Sequence, residues 1–245
     1  MNLAATMMDT DMEGGTGLAG IRQWFSPLPK FDLMDGQATL RGEVQDYICA
    51  KFNKTYGANL TSFLPILLSL RCADNLSGVA GIGLARDYQP LFLEHYLDVP
   101  VEQEIMRLTS SSIERQTIAE VGNLVATTRG ASRLVFIVLA TALHRAGMEW
   151  MVFTATAPLI TSLRRLGFAI EPIQPADPQR LPRSNDTDWG AYYEHAPVVV
   201  AGRLDSAMDL IASRTVYSTI QTLFQDQIDE VAALLSGTEN RDSII

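Results

Sequence analysis

The chain has 245 residues, enough for one domain with appendages and a large core, and its 47% apolar content and mean hydropathy of +0.08 fit a well-filled globular interior. Its net charge of −9 argues against general nucleic-acid binding, its two cysteines make no disulfide framework, and no apolar run reaches the roughly 18 residues that cross a bilayer. The first positive charge is Arg22, so the basic start of a secretory signal is missing; cytoplasmic residence without stable membrane insertion is the expectation.

Residues 1 to 20 are polar, acidic and glycine-containing with no hydrophobic period, which predicts a disordered start. Prolines and aromatics from Arg22 to Phe31 predict packing without regular structure. Leu40, Val44, Tyr47, Ile48 and Phe52 recur at helical spacing, so a helix is expected from Leu40 to Lys54, ended by Gly57. Phe63 to Arg71 and Val79 to Arg86 read as strands joined by the turn-rich stretch 72–78. Residues 91–105 read as two short helices broken before Pro100.

The centre of the chain is the most regular part. Ile118 to Ala126 reads as a strand, Ser132 to Ala146 as a helix, Trp150 to Thr156 as a second strand, and Pro158 to Leu166 as a helix ended by Gly167. Gly122 inside the first strand marks a bulge or a close backbone approach. The turn Thr127 to Arg133 is small, polar and basic and opens a helix, the chemistry of an anion site. The helix after it is apolar nearly all round and should be buried against a sheet, as a crossover between parallel strands requires. Short strands are expected at 169–173 and 198–201, and a helix at 216–235 carries Val216, Ile220, Leu223, Phe224, Ile228, Val231, Leu234 and Leu235 on one face. That face suits packing on its own domain or, as a homodimer, on a partner subunit.

A bulged strand, a phosphate-friendly turn, a buried helix, a parallel strand and a helix closing on Leu-Gly-Phe together resemble the core of the GNAT acyltransferase fold. More specific is the ordered set Phe-Leu-Pro-Ile-Leu-Leu-Ser-Leu-Arg (63–71), Leu-Phe-Leu-Glu-His-Tyr-Leu-Asp (91–98), Glu-Val-Gly-Asn-Leu (120–124), Val-Phe-Thr-Ala-Thr (152–156), Arg-Leu-Gly-Phe (165–168), Ala-Asp-Pro-Gln-Arg-Leu-Pro (176–182) and Trp-Gly-x-Tyr-Tyr (189–193). Over residues 40 to 203 these look like the bacterial thermostable hemolysin family, whose order of parts also resembles the acyl-homoserine-lactone synthases. The resemblance implies an α/β (α+β) fold with a GNAT-like mixed central sheet flanked by helices. The implied organisation is a disordered start at 1–20, an acyltransferase domain at 21–204 and a C-terminal helical extension at 205–245.

It also implies an acyl group carried as a thioester on CoA or on acyl carrier protein, lying between the parallel strands along Leu124 and Val125. Arg129, Gly130, Ala131, Ser132 and Arg133 would surround the carrier phosphates. By analogy with the acidic patch of the lactone synthases, Glu94, Tyr96 and Asp98 would bind a cationic acceptor, with Trp189, Tyr192 and Tyr193 as walls. Glu120 matches the glutamate of their Glu-x-x-Arg-Phe strand, but Asn123 stands where the arginine would be, which counts against S-adenosylmethionine as acceptor. Leu163 replaces the tyrosine with which ordinary GNAT acetyltransferases protonate the departing thiolate, and the phosphate motif is degenerate. A medium or long acyl chain, moved to a small amine, follows better than acetyl transfer.

Glu120 is the candidate base, since a carboxylate in an apolar strand has its pKa raised into the useful range. Asn123 would orient carrier or acceptor. A backbone amide at the bulge would serve the carbonyl oxygen, a contribution of about 2.7–4 kcal/mol for one such donor. His95, His144 and His195 show no metal-ligand spacing, so no metal is expected. Two other classes compete: a cytolysin inserting the amphipathic helix at 216–235, and a non-catalytic thioester-binding protein that keeps the turn and lacks the base.

Overall fold

The computed structural model describes residues 28–87, 90–126, 130–182 and 187–237. The expected disordered start and the turn residues Thr127, Thr128 and Arg129 lie outside them. The elements in order are β1 (Lys30–Met34), α1 (Arg41–Tyr56), β2 (Ile66–Cys72), β3 (Asn75–Leu84), α2 (Val101–Thr109), β4 (Ile118–Ala126), α3 (Ala131–Arg145), β5 (Trp150–Ala155), α4 (Ala157–Arg165), β6 (Glu171–Pro175), β7 (Val198–Arg203), α5 (Leu204–Ser213), α6 (Thr215–Leu223) and α7 (Gln225–Ser236). The seven strands form one mixed sheet in the order β1-β2-β3-β4-β5-β7-β6. Only β4 and β5 run parallel; every other neighbouring pair is antiparallel.

The crossover between β4 and β5 is α3, whose residues from Leu134 to Leu143 are all buried. Its all-round apolarity has a two-sided cause. One side lies on the sheet, and the other is covered by α5, α6 and α7, whose Leu204, Ile211, Ile220, Phe224, Ile228, Val231 and Leu235 join the same core. The sequence pattern predicts one helix over 216–235; the chain instead breaks at Phe224 into α6 and α7. Phe224 packs edge-on against Phe31 with centroids 5.6 Å apart, and Gln227 accepts from the Phe31 amide at 2.8 Å and donates to the Pro29 carbonyl. β1 begins at Lys30, so Lys30 and Phe31, the end of the Arg22 to Phe31 stretch expected to pack without regular structure, lie in an edge strand.

The β2–β3 connection is tighter than the expected 72–78 turn. Ala73 and Asp74 form it, with φ of 47° and 66°, the left-handed pair that a two-residue hairpin needs. Gly78 sits inside the ladder, where an added Cβ would meet Val135 at 2.9 Å, so it is a packing glycine for α3.

The opposite face of the sheet carries two separate cores. One gathers Val44, Ile48 and Phe52 of α1 onto Leu67, Val79 and Val125. The other gathers Leu93, Tyr96, Val101 and Ile105 onto Ile118, Trp150, Val152 and Ala201. Between them the parallel strands separate: their register runs from Ile118↔Trp150 to Val121↔Phe153 and stops. Beyond it β4 follows β3 to Gly78↔Ala126, while β5 follows β7 to Ala155↔Val198.

Candidate active site

A cavity of about 370 Å³ occupies the gap where β4 and β5 part. Side chains alternate across a strand, so Glu120 points to the same face as Ile118 and Gly122, while Val121 points to α3. Glu120 is 4% exposed and lines the cavity. Its two carboxylate oxygens accept the amides of Phe92 (2.7 Å) and Leu93 (3.0 Å). These amides are free because 92–96 is a short 3-10 turn whose first N–H groups have no partner within the turn. Burial pushes the Glu120 carboxyl up to about 8, against the pull of the two amides and with a further push from the charge of Glu94.

The bulge forms one residue beyond the expected Gly122. Val79 pairs Val125 and Gly81 pairs Gly122, so Asn123 and Leu124 together face Ala80. Asn123 has φ +48°, which asparagine tolerates better than most residues, and its Oδ1 accepts the Leu64 amide at 2.9 Å. Neither Asn123 nor Leu124 has a register partner on β3 or β5, and both line the cavity. Gly81 is needed for this approach, since its Cβ would meet Asn123 Oδ1 at 2.7 Å and Leu64 at 3.1 Å. Arg41 fixes the Leu64 segment by donating to the carbonyls of Leu64 and Pro65, both at 2.8 Å.

The cavity is chemically two-ended. Towards α3 and α4 it is lined by Phe136, Phe153, Leu159 and Leu163, an apolar end reached by crossing the sheet. Towards the last turn of α1 it is lined by Lys51, Thr55, Tyr56, Tyr96, Trp189 and Tyr192. Trp189 packs on Phe92 and Tyr192, with centroids at 6.0 and 5.4 Å, and Tyr192 meets Tyr56 edge-on at 5.3 Å. Burial raises the Tyr192 and Tyr96 hydroxyls well above their ordinary range. The segment carrying Trp189 is seated by amide–carbonyl exchange between Asn59 and Asp188 and by the Ala191 amide donating to the Tyr56 carbonyl at 2.8 Å. Gly190, at φ +51°, lies so close that a Cβ would meet that carbonyl oxygen at 2.2 Å. Two buried polar atoms on this wall, Trp189 Nε1 and Thr55 Oγ1, have no hydrogen-bond partner among the described residues. Burying such a group unpaired costs about 1–3 kcal/mol.

Of the residues expected from the sequence, Glu120, Asn123, Leu124, Val125, Tyr96, Trp189 and Tyr192 come together on this cavity. Tyr193 does not line it; its hydroxyl meets that of Tyr96 at 2.6 Å and so braces the wall from behind. The expected acidic patch is divided. Glu94 and Asp98 line a separate hollow with Glu102 and Arg115, not the cavity. Glu94 accepts from the amides of Leu91 and Val101 and from Arg115 at 2.6 and 2.8 Å. Burial would raise its pKa, but the Arg115 and amide hydrogen bonds outweigh it and hold the carboxyl below its usual range. Asp98 pairs with Arg180. Neither carboxylate is directed at a molecule in the cavity.

On the carrier side, Gly130 (φ +81°) opens α3 without a side-chain cap, and Ala131 and Ser132 are buried in its first turn. The Arg133 guanidinium lies over the Tyr217 ring at 6.0 Å. Arg129 lies outside the described residues. Sequence reasoning missed Lys51, Thr55, Tyr56 and Leu159 as cavity residues; all four occupy ordinary helix positions and carry no motif.

A model of the thermostable hemolysin family matches residues 34–208. A search of curated proteins gives no match. Among solved structures, the CoA-dependent acyl-homoserine lactone synthase BjaI, with SAM and isopentyl-CoA, superposes with a TM-score of 0.50 at 9% identity, covering 84% of this chain and 98% of BjaI. FeeM, an N-acyl amino acid synthase from uncultured soil microbes, gives a TM-score of 0.49 at 14% identity over 74% of this chain and 93% of its own. The AHL synthase LasI gives 0.48 at 11% identity over 72% and 90%. The likeness to BjaI is one of fold, and it bears out the GNAT-like mixed α/β sheet expected from the sequence.

Proposed function

The chain belongs to the thermostable hemolysin family, and on that premise we propose that it is an acyltransferase moving a medium or long acyl group from a thioester, on CoA or acyl carrier protein, to a small amine. The observation that carries this reading is Glu120: a buried carboxyl with a pKa of about 8, three residues before a bulge, in a cavity lined from both faces of the sheet between two parallel strands.

The acyl chain takes the apolar end at Phe136, Phe153, Leu159 and Leu163, and the carrier arm follows Leu124 and Val125 towards the start of α3, where Arg129 to Arg133 would meet its phosphates. The amine enters from the side of Tyr96, Trp189 and Tyr192. Its nitrogen attacks the thioester carbonyl carbon, the oxygen is met by a backbone amide of the bulge, and the C–S bond breaks. Glu120 takes the amine proton in its ionised form. Its pKa of about 8 lies below that of an alkyl thiol, so the same proton can pass downhill to the departing thiolate, a role that Leu163 lacks the acid to fill. Asn123 acts through shape, holding Leu64 and the bulge in place.

The cytolysin reading rests on an amphipathic helix at 216–235, but the apolar residues that insertion would use, Ile220, Phe224, Ile228, Val231 and Leu235, are buried against α3. No helix among the described residues is long and apolar enough to cross a membrane. The test is a thermal-shift series with CoA, dodecanoyl-CoA and dodecanoyl carrier protein, followed by thiol release in the presence of an amine panel. A ligand that binds only the folded state raises the melting temperature by mass action. A shift with an acylated donor and amine-dependent thiol release are expected. Failure of both, for every donor, would sink the enzyme reading.

A further inference from the structure

Charge is unevenly spread over this molecule. The chain holds 28 acids against 19 lysines and arginines, yet no aspartate or glutamate occurs between Val121 and Met148, between Trp150 and Ile170 or between Leu210 and Gln225. The fold brings these three stretches together. Phe168, just after α4, packs on Phe136 of α3 with centroids 4.7 Å apart and stacks on Tyr217 of α6 at 6.3 Å. Arg133, in the first turn of α3, lies over the same Tyr217 ring. Arg214, at the joint between α5 and α6, brings Nη2 to 3.6 Å from where a Cβ on Gly167 would stand. Arg164 and Arg165 belong to the last turn of α4, and the Arg164 carbonyl accepts the Gly167 amide at 2.9 Å. Four guanidinium groups thus gather about the 164–168 corner, three of them exposed and that of Arg133 half-buried.

Most described arginines are neutralised within the chain, as Arg71 is by Glu43, Arg145 by Asp229 and Arg180 by Asp98. These four have no carboxylate within ion-pair distance among the described residues. The negative end of α4 accounts for Arg164 and Arg165, but not for arginines brought to it from α3 and from the α5–α6 joint. We infer that this corner is the docking surface for an acidic protein, the acyl carrier protein that delivers the thioester. The inference rests on the acyl-transfer reading for what the partner carries, and it chooses between the two donors that reading leaves open. The corner adjoins the cavity, since Leu163, beside Arg164, and Phe136 both line its apolar end. Arg133 stands at the start of α3, where the carrier arm would emerge. The positive charge extends from there onto α4 and α6, a spread that suits a row of acids on a protein helix. Salt of about 0.1 M screens charges beyond about 10 Å, so a protein seated on the corner meets these arginines rather than the chain's net charge of −9. Complementary charge of this kind steers encounter and fixes register.

The experiment gives two donors the same acyl group. Calorimetric Kd, and thiol release with an amine panel, are measured for dodecanoyl carrier protein and dodecanoyl-CoA on the full-length wild type and on the triple variant Arg164→Glu, Arg165→Glu, Arg214→Glu. Carrier-protein Kd should weaken about tenfold or more in the variant, with a shallower dependence on NaCl. Its dodecanoyl-CoA Kd and melting temperature should stay those of the wild type, which shows that the fold is intact. The same three positions changed to Lys should keep most of the carrier-protein affinity. No binding of the carrier protein, or full binding in the Glu variant, would overturn the surface. An equal loss for both donors would overturn it too, by assigning the arginines to CoA phosphates. So would capture of the wild type by phosphatidylglycerol vesicles, lost in the variant, without carrier-protein binding. Thiol release separates the two proposals. Carrier-protein binding that the Glu variant loses, with no thiol released from either donor, would sink acyl transfer and leave the surface standing; release from dodecanoyl-CoA without carrier-protein binding would do the reverse.

Discussion

The hollow at Glu94 and the cavity at Glu120 each present a carboxylate, but only the second leaves its carboxylate without a cationic partner among the described residues. Both carboxylates are held by backbone amides around the same 92–96 turn. Glu94 also meets Arg115, which bridges it to Glu102, and its pKa falls. Glu120 meets no cation among the described residues, so burial dominates and its pKa rises to about 8. A hollow whose charges are paired within the chain has little left to offer a ligand. A carboxyl poised near neutrality in an apolar gap keeps its chemistry available.

The largest test of this contrast is Glu120→Gln, which should lower acyl transfer by about 10²–10⁴-fold, the usual contribution of a general base, with dodecanoyl-CoA still raising the melting temperature. Because the carboxyl is neutral below its raised pKa, kcat/KM of the wild type should climb with pH through about 8 and then level. Stability should run the other way. Between an unfolded value of about 4.3 and about 8, the folded chain holds a proton that the unfolded chain has released, so stability falls as pH rises across that window and flattens above it. Urea midpoints from pH 5 to 9 would show this slope, and the Gln variant should lose it. An unchanged rate in Glu120→Gln would leave Glu120 as a mere anchor for the turn.

Next in size is Arg115→Ala, which strips Glu94 and Glu102 of their shared partner. Lost hydrogen bonds to a charged group predict about 1.5–3 kcal/mol of destabilisation at pH 7, read from the urea midpoint. Glu94 has a lowered folded pKa, so its stabilisation is present above the unfolded value of about 4.3 and disappears as pH falls through the folded one. The variant should therefore show a shallower loss of stability on acidification. Its dodecanoyl-CoA binding should stay that of the wild type, because the hollow is separate from the cavity. A fall in donor affinity matching the fall in stability would break the comparison.

The same contrast explains what the sequence could and could not reveal. Glu120 stands out as an acid among apolar strand neighbours, and the apolar run of α3 marks itself as buried, so the centre of the fold and the buried carboxyl in it were legible. Glu94 and Asp98 looked like a free acidic patch because the arginines that neutralise them, Arg115 and Arg180, lie 21 and 82 residues further along. Thr55 and Trp189 line one cavity only because the segment around Trp189 folds back on the end of α1, and no spacing encodes that. The hairpin turn at Ala73 and Asp74 lacks the glycine that usually signals left-handed backbone, and Gly78, which drew the turn reading, is small to admit Val135. The last helix breaks at Phe224, whose ring meets Phe31, a partner almost two hundred residues away in the chain.

The smallest expected effect concerns the end of the cavity that the Glu94 hollow has no counterpart for. Leu159 lines the cavity from α4 but is only partly buried in the main core, so it can be enlarged with less strain than Leu163, which is wholly buried. Leu159→Trp should fill the apolar end and shorten the acyl chain that fits. Each methylene displaced forfeits about 0.8 kcal/mol of burial, or about fourfold in kcat/KM. Profiles over butanoyl- to tetradecanoyl-CoA should therefore keep their short-chain limb and lose their long-chain limb stepwise. The pH dependence should stay that of the wild type, since Glu120 and its two amide donors are untouched. A uniform loss across all chain lengths would place the acyl group elsewhere, and would detach the gap between β4 and β5 from the donor while leaving Glu120 where it is.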